Sequence, residues 1–283
     1  MRYEEDFFKL LEKIKKHENF AFTRFSDGEV FVMQNKENFA FTRFSDGELY
    51  ILQNKKIFIK ENTCFLRGEE HRGSWGEEEH KSFTPEENQE LRIHLTEAFT
   101  HRQKNYFKGI CTKQDIGYED WKWQFDSRLL SENEDNLTFA NLLINGNYIN
   151  FMTQIVPLIK DNQVDVVYVC NKAANLEKFP FNLKKDFRVG SNCHINDIHL
   201  VDEMIKWVED NNIQNHLFLF SAASLSNLLI YELYKRFPNN TYMDIGSTLN
   251  PMLGLEGWKG SRGYLRGYWM NEMNPYFFQD CEW

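Results

Sequence analysis

Two carboxylates separated by a single glycine could hold a divalent metal ion in this chain. They are Asp46 and Glu48, and an extended backbone would direct both to the same side, while Gly47 lets the chain turn or approach a ligand closely. Hard oxygen ligands of this kind suit Mg²⁺ or Mn²⁺, with water and substrate phosphate completing the coordination. The simpler alternative is that Asp-Gly forms an ordinary turn and Glu48 begins the next helix.

The same motif occurs twice in tandem. Residues 18–36 and 37–55 are identical at 15 of 19 positions, so Asp27 and Glu29 form an alternative pair of ligands. Each copy predicts a strand over NFAFTRF, a turn at Asp-Gly and a short helix. A strand-helix-strand unit needs about 30 residues, which is more than one repeat supplies. We therefore expect one copy, and preferentially the second, to supply the active-site turn.

A second candidate site is the small-residue turn Ser221-Ala222-Ala223-Ser224, between an apolar strand and a helix. Free backbone N–H groups of Ser221, Ala222 and Ser224 could hold a phosphate there. The alternative is that the small side chains only allow the strand and the helix to pack closely.

Three other clusters have simpler interpretations. The segment His194–His199 resembles metal-ligand spacing, but Asn196 or Asp197 is well placed to cap the following helix. Residues 68–80 are expected to form a solvated loop, where His71 or His80 could border an acceptor site. In the C-terminal segment 251–283, Arg262 and Arg266 lie among aromatic residues and predict either a lid over a diphosphate or a structural tail.

The elements that must position these residues alternate between strand and helix. Apolar strand candidates at 106–111, 164–170, around 217–220 and 241–246 alternate with amphipathic helices, which predicts an α/β fold with a Rossmann-like, doubly wound and mostly parallel sheet. Ligands bind beyond the carboxyl ends of such strands. Thr84-Pro85-Glu86-Glu87 predicts a capping box that opens a helix, and a helical stretch is expected around Leu137–Lys160. We expect one domain over residues 1–283.

Composition excludes several classes of protein. With 42 acidic and 33 basic residues the formal charge is −9, which argues against a nucleic-acid-coating surface. The N-terminus lacks the features of a signal peptide, and no apolar run approaches the ~20 residues of a membrane span, so we expect a soluble cytoplasmic protein. Five cysteines, without a C-x-x-C pair, indicate reduced and packed thiols.

The hexapeptide Arg43-Phe44-Ser45-Asp46-Gly47-Glu48 resembles the signature of the GT-D-fold glycosyltransferases. Weaker likenesses follow in order at Lys108-Gly109-Ile110, at the small-residue turn and at Tyr242–Gly246. The chain departs from the family at Ala222-Ala223, where members tend to carry a Gly-Pro-like turn, and at Ser247, where they often carry His.

The resemblance implies a metal-dependent hexosyltransferase-like enzyme. Its donor would be a nucleoside-diphosphate sugar, with UDP-sugars favoured, and its acceptor a glycan or glycoprotein. Asp46 and Glu48 would hold Mn²⁺ or Mg²⁺, Arg43 and Gly47 would face the donor, and Asp244 is the further carboxylate to test for catalysis. Two alternatives remain open: a non-catalytic Rossmann-like binding or scaffold protein, and a metal-dependent phosphohydrolase.

Overall fold

The computed structural model describes residues 38–255, apart from 67, 74, 76, 132–135 and 144–147. The strands in this part of the chain are β1 (Ala40–Phe44), β2 (Ile57–Lys60), β3 (Thr63–Leu66), β4 (Glu69–Arg72), β5 (Lys81–Phe83), β6 (Tyr106–Ile110), β7 (Leu137–Phe139), β8 (Asp165–Asn171), β9 (Asn182–Val189), β10 (Leu217–Phe220) and β11 (Thr241–Asp244). The helices are α1 (Asp46–Leu52), α2 (Gln89–Thr100), α3 (Lys113–Ile116), α4 (Tyr118–Asp126), α5 (Tyr148–Asn150), α6 (Val156–Asp161), α7 (Cys193–Asn196), α8 (Leu200–Asp210) and α9 (Ala223–Arg236). A π-helical turn, Phe151–Ile155, joins α5 to α6, and short 3₁₀ turns occur at Glu77–Glu79 and Leu176–Lys178.

A seven-stranded sheet in the order β7-β6-β1-β11-β10-β8-β9 forms the centre of the fold. Every pair of neighbouring strands in it is parallel. All the strands therefore end at the same edge, which confirms the predicted α/β class. The strand predictions at 106–111, 164–170 and 241–246 are also confirmed, each within two residues of the observed ends.

Both faces of this sheet are buried, as parallel sheets require. Along β8, Val166, Tyr168 and Cys170 pack on one face with the α5–α6 segment. The alternate residues Val167 and Val169 pack on the other face with α8 and α9. This alternation of side chains lets short, continuously apolar strands serve two cores at once.

A second sheet, antiparallel and ordered β4-β3-β2-β5, was not predicted. Its inner side chains, including Ile57, Ile59 and Phe83, pack against α1 and α2. The segment 68–80, predicted to be a loop, supplies its edge strand β4, whose residues are all exposed. Asn192, in the loop after β9, links that loop to the small sheet. Its Oδ1 accepts a hydrogen bond from the backbone N–H of Ser82, and its Nδ2 donates one to the Ser82 hydroxyl.

Three local predictions are wrong. Thr84 opens no helix: its N–H donates to the side chain of Asn88, and α2 begins four residues later than expected, at Gln89. The expected helix around Leu137–Lys160 begins instead with strand β7, because a short apolar run fits either element. Neither Asn196 nor Asp197 caps α8; they bond the backbone of Ser191 and Gly190 respectively.

The second copy of the repeat supplies β1 and α1. The first copy, with Asp27 and Glu29, lies outside the described residues, as do Arg262 and Arg266 of the expected lid. Within the described ranges, Cys64, Cys111, Cys170 and Cys193 are buried free thiols, as predicted. None of the helices described in the structure has the length and apolar character needed to cross a membrane.

Candidate active site

A cleft of about 570 Å³ opens at the carboxyl edge of the large sheet. Segments that follow β1, β8, β9, β10 and β11 line its floor, and the small antiparallel sheet contributes the facing wall. The cleft lies where a ligand site is expected in this fold, beyond the carboxyl ends of the strands. Of the predicted site residues, the cleft brings together Arg43, Asp46, Gly47, Glu48, Ser221 and Ala222.

Asp46 and Glu48 do not project from an extended strand. Ser45 is the N-cap of α1, so both acids lie in the first helical turn, and the prediction of a turn at Asp-Gly is wrong. Asp46 is exposed in the cleft and its Oδ1 accepts from Gly47 N at 2.8 Å. Glu48 is buried, with Oε2 accepting from Ser45 N at 3.0 Å and Oε1 accepting from the Ser224 hydroxyl at 2.6 Å. The two acids therefore have different surroundings.

Glu48 joins α1 to α9. Its bond to the backbone of Ser45 is one half of a capping box, in which an acid three residues into the helix satisfies a free N–H at the helix start. The bond to Ser224 reaches the first turn of α9, which fixes the two helix starts on either side of the cleft. Ser224 thus acts through Glu48 and does not itself line the cleft.

Arg43 is held from several directions at the end of β1. Its Nε donates to the carbonyl of Ala140, its Nη2 to the hydroxyl of Ser45 at 3.4 Å, and its Nη1 lies 3.8 Å from Oδ1 of Asp244. The guanidinium also packs directly on Gly246, which has a φ of +50°. Arg43 is therefore hydrogen-bonded to the protein through Nε and Nη2, and its charge faces that of Asp244.

Asp244 lies behind Arg43, at the end of β11. Its Oδ1 accepts from Gly246 N at 2.9 Å, so it holds the turn that follows the strand. Burial raises its pKa to about 6, against the lowering effects of Arg43 and of the Gly246 N–H. Because it is only 6% exposed and supports Arg43 and Gly246, this geometry favours a positioning role.

The small-residue turn after β10 has a strained backbone. Ala223 begins α9 with a φ of +45°, a left-handed conformation that is costly for any residue except glycine. Ser221 N donates to Val169 O at 2.9 Å, and Ala222 N donates to the Ser226 hydroxyl at 3.0 Å. These two N–H groups are therefore already used. The N–H groups of Ala223 and Ser224 lie in the first turn of the helix, where no intrahelical acceptor exists.

His194, predicted with His199 as a weak metal motif, lies in the cleft wall while His199 is exposed. Its Nε2 is 2.9 Å from the carbonyl of Ser82, so Nε2 must carry the proton that is shared with this oxygen. Burial lowers its pKa to about 4, which keeps the ring neutral. The two histidines do not form a metal site.

Lys108 and Gly109, which belong to the weaker matches to the glycosyltransferase family, have structural roles. Lys108 is buried in β6 and donates to the carbonyl of Phe99 at 3.0 Å, away from the cleft. Gly109 lies where a Cβ atom would approach the backbone at Phe139 and Ala140 to about 3 Å, so glycine allows β6 and β7 to lie close together.

Solved structures resemble this chain at low sequence identity. One is described as showing that the highly conserved domain of unknown function 1792 has a distinct glycosyltransferase fold. It matches with a TM-score of 0.51 and 12% identity over 98% of this chain and 90% of its own. This chain shares that fold. Another, described as a new glycosyltransferase (DUF1792) from Streptococcus sanguinis, gives a TM-score of 0.47 and 13% identity over 86% of this chain and 82% of its own.

No protein-family model matches the sequence, and no curated protein matches it. The shared fold confirms the resemblance predicted from the hexapeptide at β1, at the level of architecture.

The described donor set fits a divalent metal that binds together with a phosphate ligand. Asp46 offers an exposed carboxylate, whereas both oxygens of Glu48 already accept hydrogen bonds. Within the described ranges, no group of three or more His, Cys, Asp or Glu residues could hold an ion. Mg²⁺ typically uses one or two protein carboxylates, and water and substrate phosphates supply the rest. Asp46 would hold such an ion directly and Glu48 through water.

Several cleft residues had no signal in the sequence. Lys81, Asn192 and Trp75 reach the cleft from the small sheet or from the loop joined to it. A single lysine or tryptophan outside a motif cannot be assigned to a site until the fold shows its position. The prediction that His71 or His80 borders a site is consistent with their position, since both line the wall formed by the small sheet.

Proposed function

We propose that this protein is a glycosyltransferase that moves a sugar from a nucleoside-diphosphate sugar, preferably a UDP-sugar, to a glycan or glycoprotein acceptor, with Mn²⁺ or Mg²⁺. The observation that carries the proposal is the meeting, in one cleft at the strand ends, of the exposed carboxylate of Asp46 with the start of α9 and the Gly246 turn. The cleft occurs in a fold that has been described as a glycosyltransferase fold in another protein.

The chemistry follows from the charge that develops on the leaving diphosphate. A bound divalent cation supplies positive charge to that group as the bond to the anomeric carbon breaks. Asp46 would hold this cation at the start of α1. Ala223, which lines the cleft, has its N–H group at the N-terminus of α9, and this position favours an anion. Glu48 keeps the starts of α1 and α9 at a fixed separation through its bonds to Ser45 and Ser224.

Arg43 and Asp244 complete the floor of the site. Because Arg43 bonds Ala140 and lies against Gly246, its positive charge is held in place before a ligand arrives. Asp244 supports this arrangement from behind. The wall of the small sheet, which includes Ile59, Leu66 and Trp75, encloses the cleft with apolar surface and would limit the access of water to the donor.

A donor panel tests the proposal. The protein is incubated with Mn²⁺ and a set of nucleotide sugars, and the release of nucleoside diphosphate and of free or transferred sugar is measured. We expect cleavage of the sugar-phosphate bond of at least one donor, abolished by EDTA. Release of inorganic phosphate from nucleotides without loss of sugar would instead identify a phosphohydrolase. Absence of both cleavage and binding would identify a non-catalytic protein.

A further inference from the structure

Lys81, the first residue of β5, places its ammonium group inside the cleft. In the small sheet it is paired with Ile59, another residue that lines the cleft. The ammonium lies against the backbone of Gly47, since a Cβ atom built on this glycine would be 2.6 Å from Nζ and 3.5 Å from Cε of Lys81. Its charge therefore lies beside Asp46, at the start of α1.

This ammonium forms no hydrogen bond and no ion pair within the part of the chain that the structure describes. Its electrostatic effect nevertheless reaches other groups around the cleft: it lowers the pKa of Cys64 and Cys193 against the dominant effect of burial, and it lowers the pKa of His194 in the same direction as burial. A half-buried cation without a partner, in the same cleft as a helix N-terminus, points to an anionic ligand.

The other cation of the cleft is differently placed. Arg43 donates to Ala140 and Ser45 and lies near Asp244, so its charge is already partly balanced by the protein. Lys81 keeps all three of its ammonium donors for a ligand. Charge-assisted hydrogen bonds to phosphate are about twice as strong as neutral ones, and they are stronger in a partly enclosed site than in water.

We propose that Lys81 binds a phosphate group of the donor diphosphate directly and takes up part of the negative charge that this group gains on departure. The identity of the anion as a sugar-nucleotide diphosphate rests on the proposed function. Lys81 and Asp46, on either side of Gly47, then have separate roles. Lys81 is positively charged and contacts the phosphate oxygens directly. Asp46 is negatively charged, as the phosphate is, and would interact with it only through a metal cation bound between the two.

Gly47 offers a second way to test the same contact. A methyl group at this position would occupy the space of the ammonium group, and the flexible lysine side chain would move away. Gly47 is inside α1, where alanine is favoured over glycine, so we expect Gly47→Ala to stay folded while the ammonium is displaced. Lys60 in the neighbouring strand β2 is exposed outside the cleft, which makes Lys60→Met a matched control.

Calorimetry with inorganic pyrophosphate and with uridine tests the inference on the full chain. We expect Lys81→Met to weaken pyrophosphate binding about tenfold or more, Gly47→Ala to weaken it in the same direction, and Lys60→Met to change it by less than about twofold. Uridine, which has no phosphate, should bind all variants alike. Unchanged pyrophosphate affinity in Lys81→Met, or no pyrophosphate binding by the unmodified protein, overturns the inference.

The role of Lys81 and the proposed transferase activity can be refuted independently of each other. Pyrophosphate binding that depends on Lys81, in a protein that cleaves no nucleotide sugar, would keep the anion site and refute the transferase. Cleavage of nucleotide sugars that is equally fast in Lys81→Met would keep the transferase and refute the role of Lys81.

Discussion

The guanidinium group of Arg43 packs directly against the Cα atom of Gly246, with no room for a side chain between them. A Cβ atom at position 246 would overlap Nη1 and come within 3.0 Å of Cζ, and the residue has a φ of +50°. We expect Gly246→Ala to destabilise the protein by about 2 kcal/mol or more, because the left-handed backbone costs about 1–2 kcal/mol and Arg43 must also move.

Urea unfolding checks this prediction, with Gly254→Ala as the control. Gly254 has a φ of +73° but nothing within 4 Å of its Cβ direction, so alanine there meets only the backbone cost. Equal losses of unfolding free energy in the two variants would show that the contact with Arg43 imposes no packing constraint.

The left-handed residue at the start of α9 predicts a stabilising substitution. Ala223 has a φ of +45°, and its side chain is exposed in the cleft. Ala223→Gly should therefore raise the unfolding free energy by about 0.5–1 kcal/mol. The neighbouring Ala222, with a φ of −133°, provides the control, since Ala222→Gly should lower it by about 0.5–1 kcal/mol. Destabilisation of similar size by both changes would contradict the strain at Ala223.

The two acids of the Asp-Gly-Glu motif should respond differently to amide substitution. Glu48→Gln weakens the bonds to Ser45 and Ser224 and should cost about 1–3 kcal/mol of stability. Asp46→Asn, at an exposed position, should cost less than about 1 kcal/mol but weaken the binding of UDP in the presence of Mn²⁺ at least tenfold. Thermal unfolding and calorimetry with and without EDTA separate the two effects, and similar destabilisation by both variants would refute the division of roles.

His194 and Asp244 should give opposite dependences of stability on pH. Burial lowers the pKa of His194 to about 4 in the folded protein. Below pH 6.5 the unfolded chain therefore takes up a proton at His194 that the folded protein does not, and the free energy of unfolding decreases as the pH falls towards 4. Burial raises the pKa of Asp244 from 3.8 to about 6, so its destabilising effect is present above pH 6 and disappears as the pH falls towards 3.8. Each contribution amounts to at most about 3 kcal/mol.

Unfolding in urea between pH 4 and 7 distinguishes these contributions. Relative to the unmodified protein, His194→Gln should become more stable as the pH is lowered, and Asp244→Asn should become less stable. If either variant keeps the pH dependence of the unmodified protein, the assigned pKa shift is wrong.

The sequence predicts the large sheet well because most of its strands are short apolar runs that alternate with helices, as in LFLF of β10, which follows the amphipathic helix α8. It does not predict the small sheet, whose edge strand Glu69–Arg72 is charged and fully exposed and so has no apolar alternation. The error at Leu137–Phe139 has a related cause, since three apolar or β-branched residues fit a strand or a helix until a neighbouring strand is known.

The candidate site shows the same limit. Arg43 to Glu48 form a contiguous motif and are found from the sequence, but the conformation of Asp46-Gly47 depends on Ser45 and Glu48 capping a helix. The contact of Lys81 with Gly47 joins two segments that only the small sheet brings together. Long-range pairs of this kind leave no trace in a single sequence.

Cleavage of nucleotide sugars by paired variants of the two repeats tests the central claim most directly. With Mn²⁺ and a UDP-sugar that the unmodified protein cleaves, we expect Asp46→Asn to lose activity by about a hundredfold or more, while Asp27→Asn in the first copy keeps most of it. Asp46→Asn is preferred to a change at Glu48, which would also destabilise the fold. Full activity in Asp46→Asn, or equal losses in both variants, would contradict the assignment of the transferase site to the cleft at Asp46.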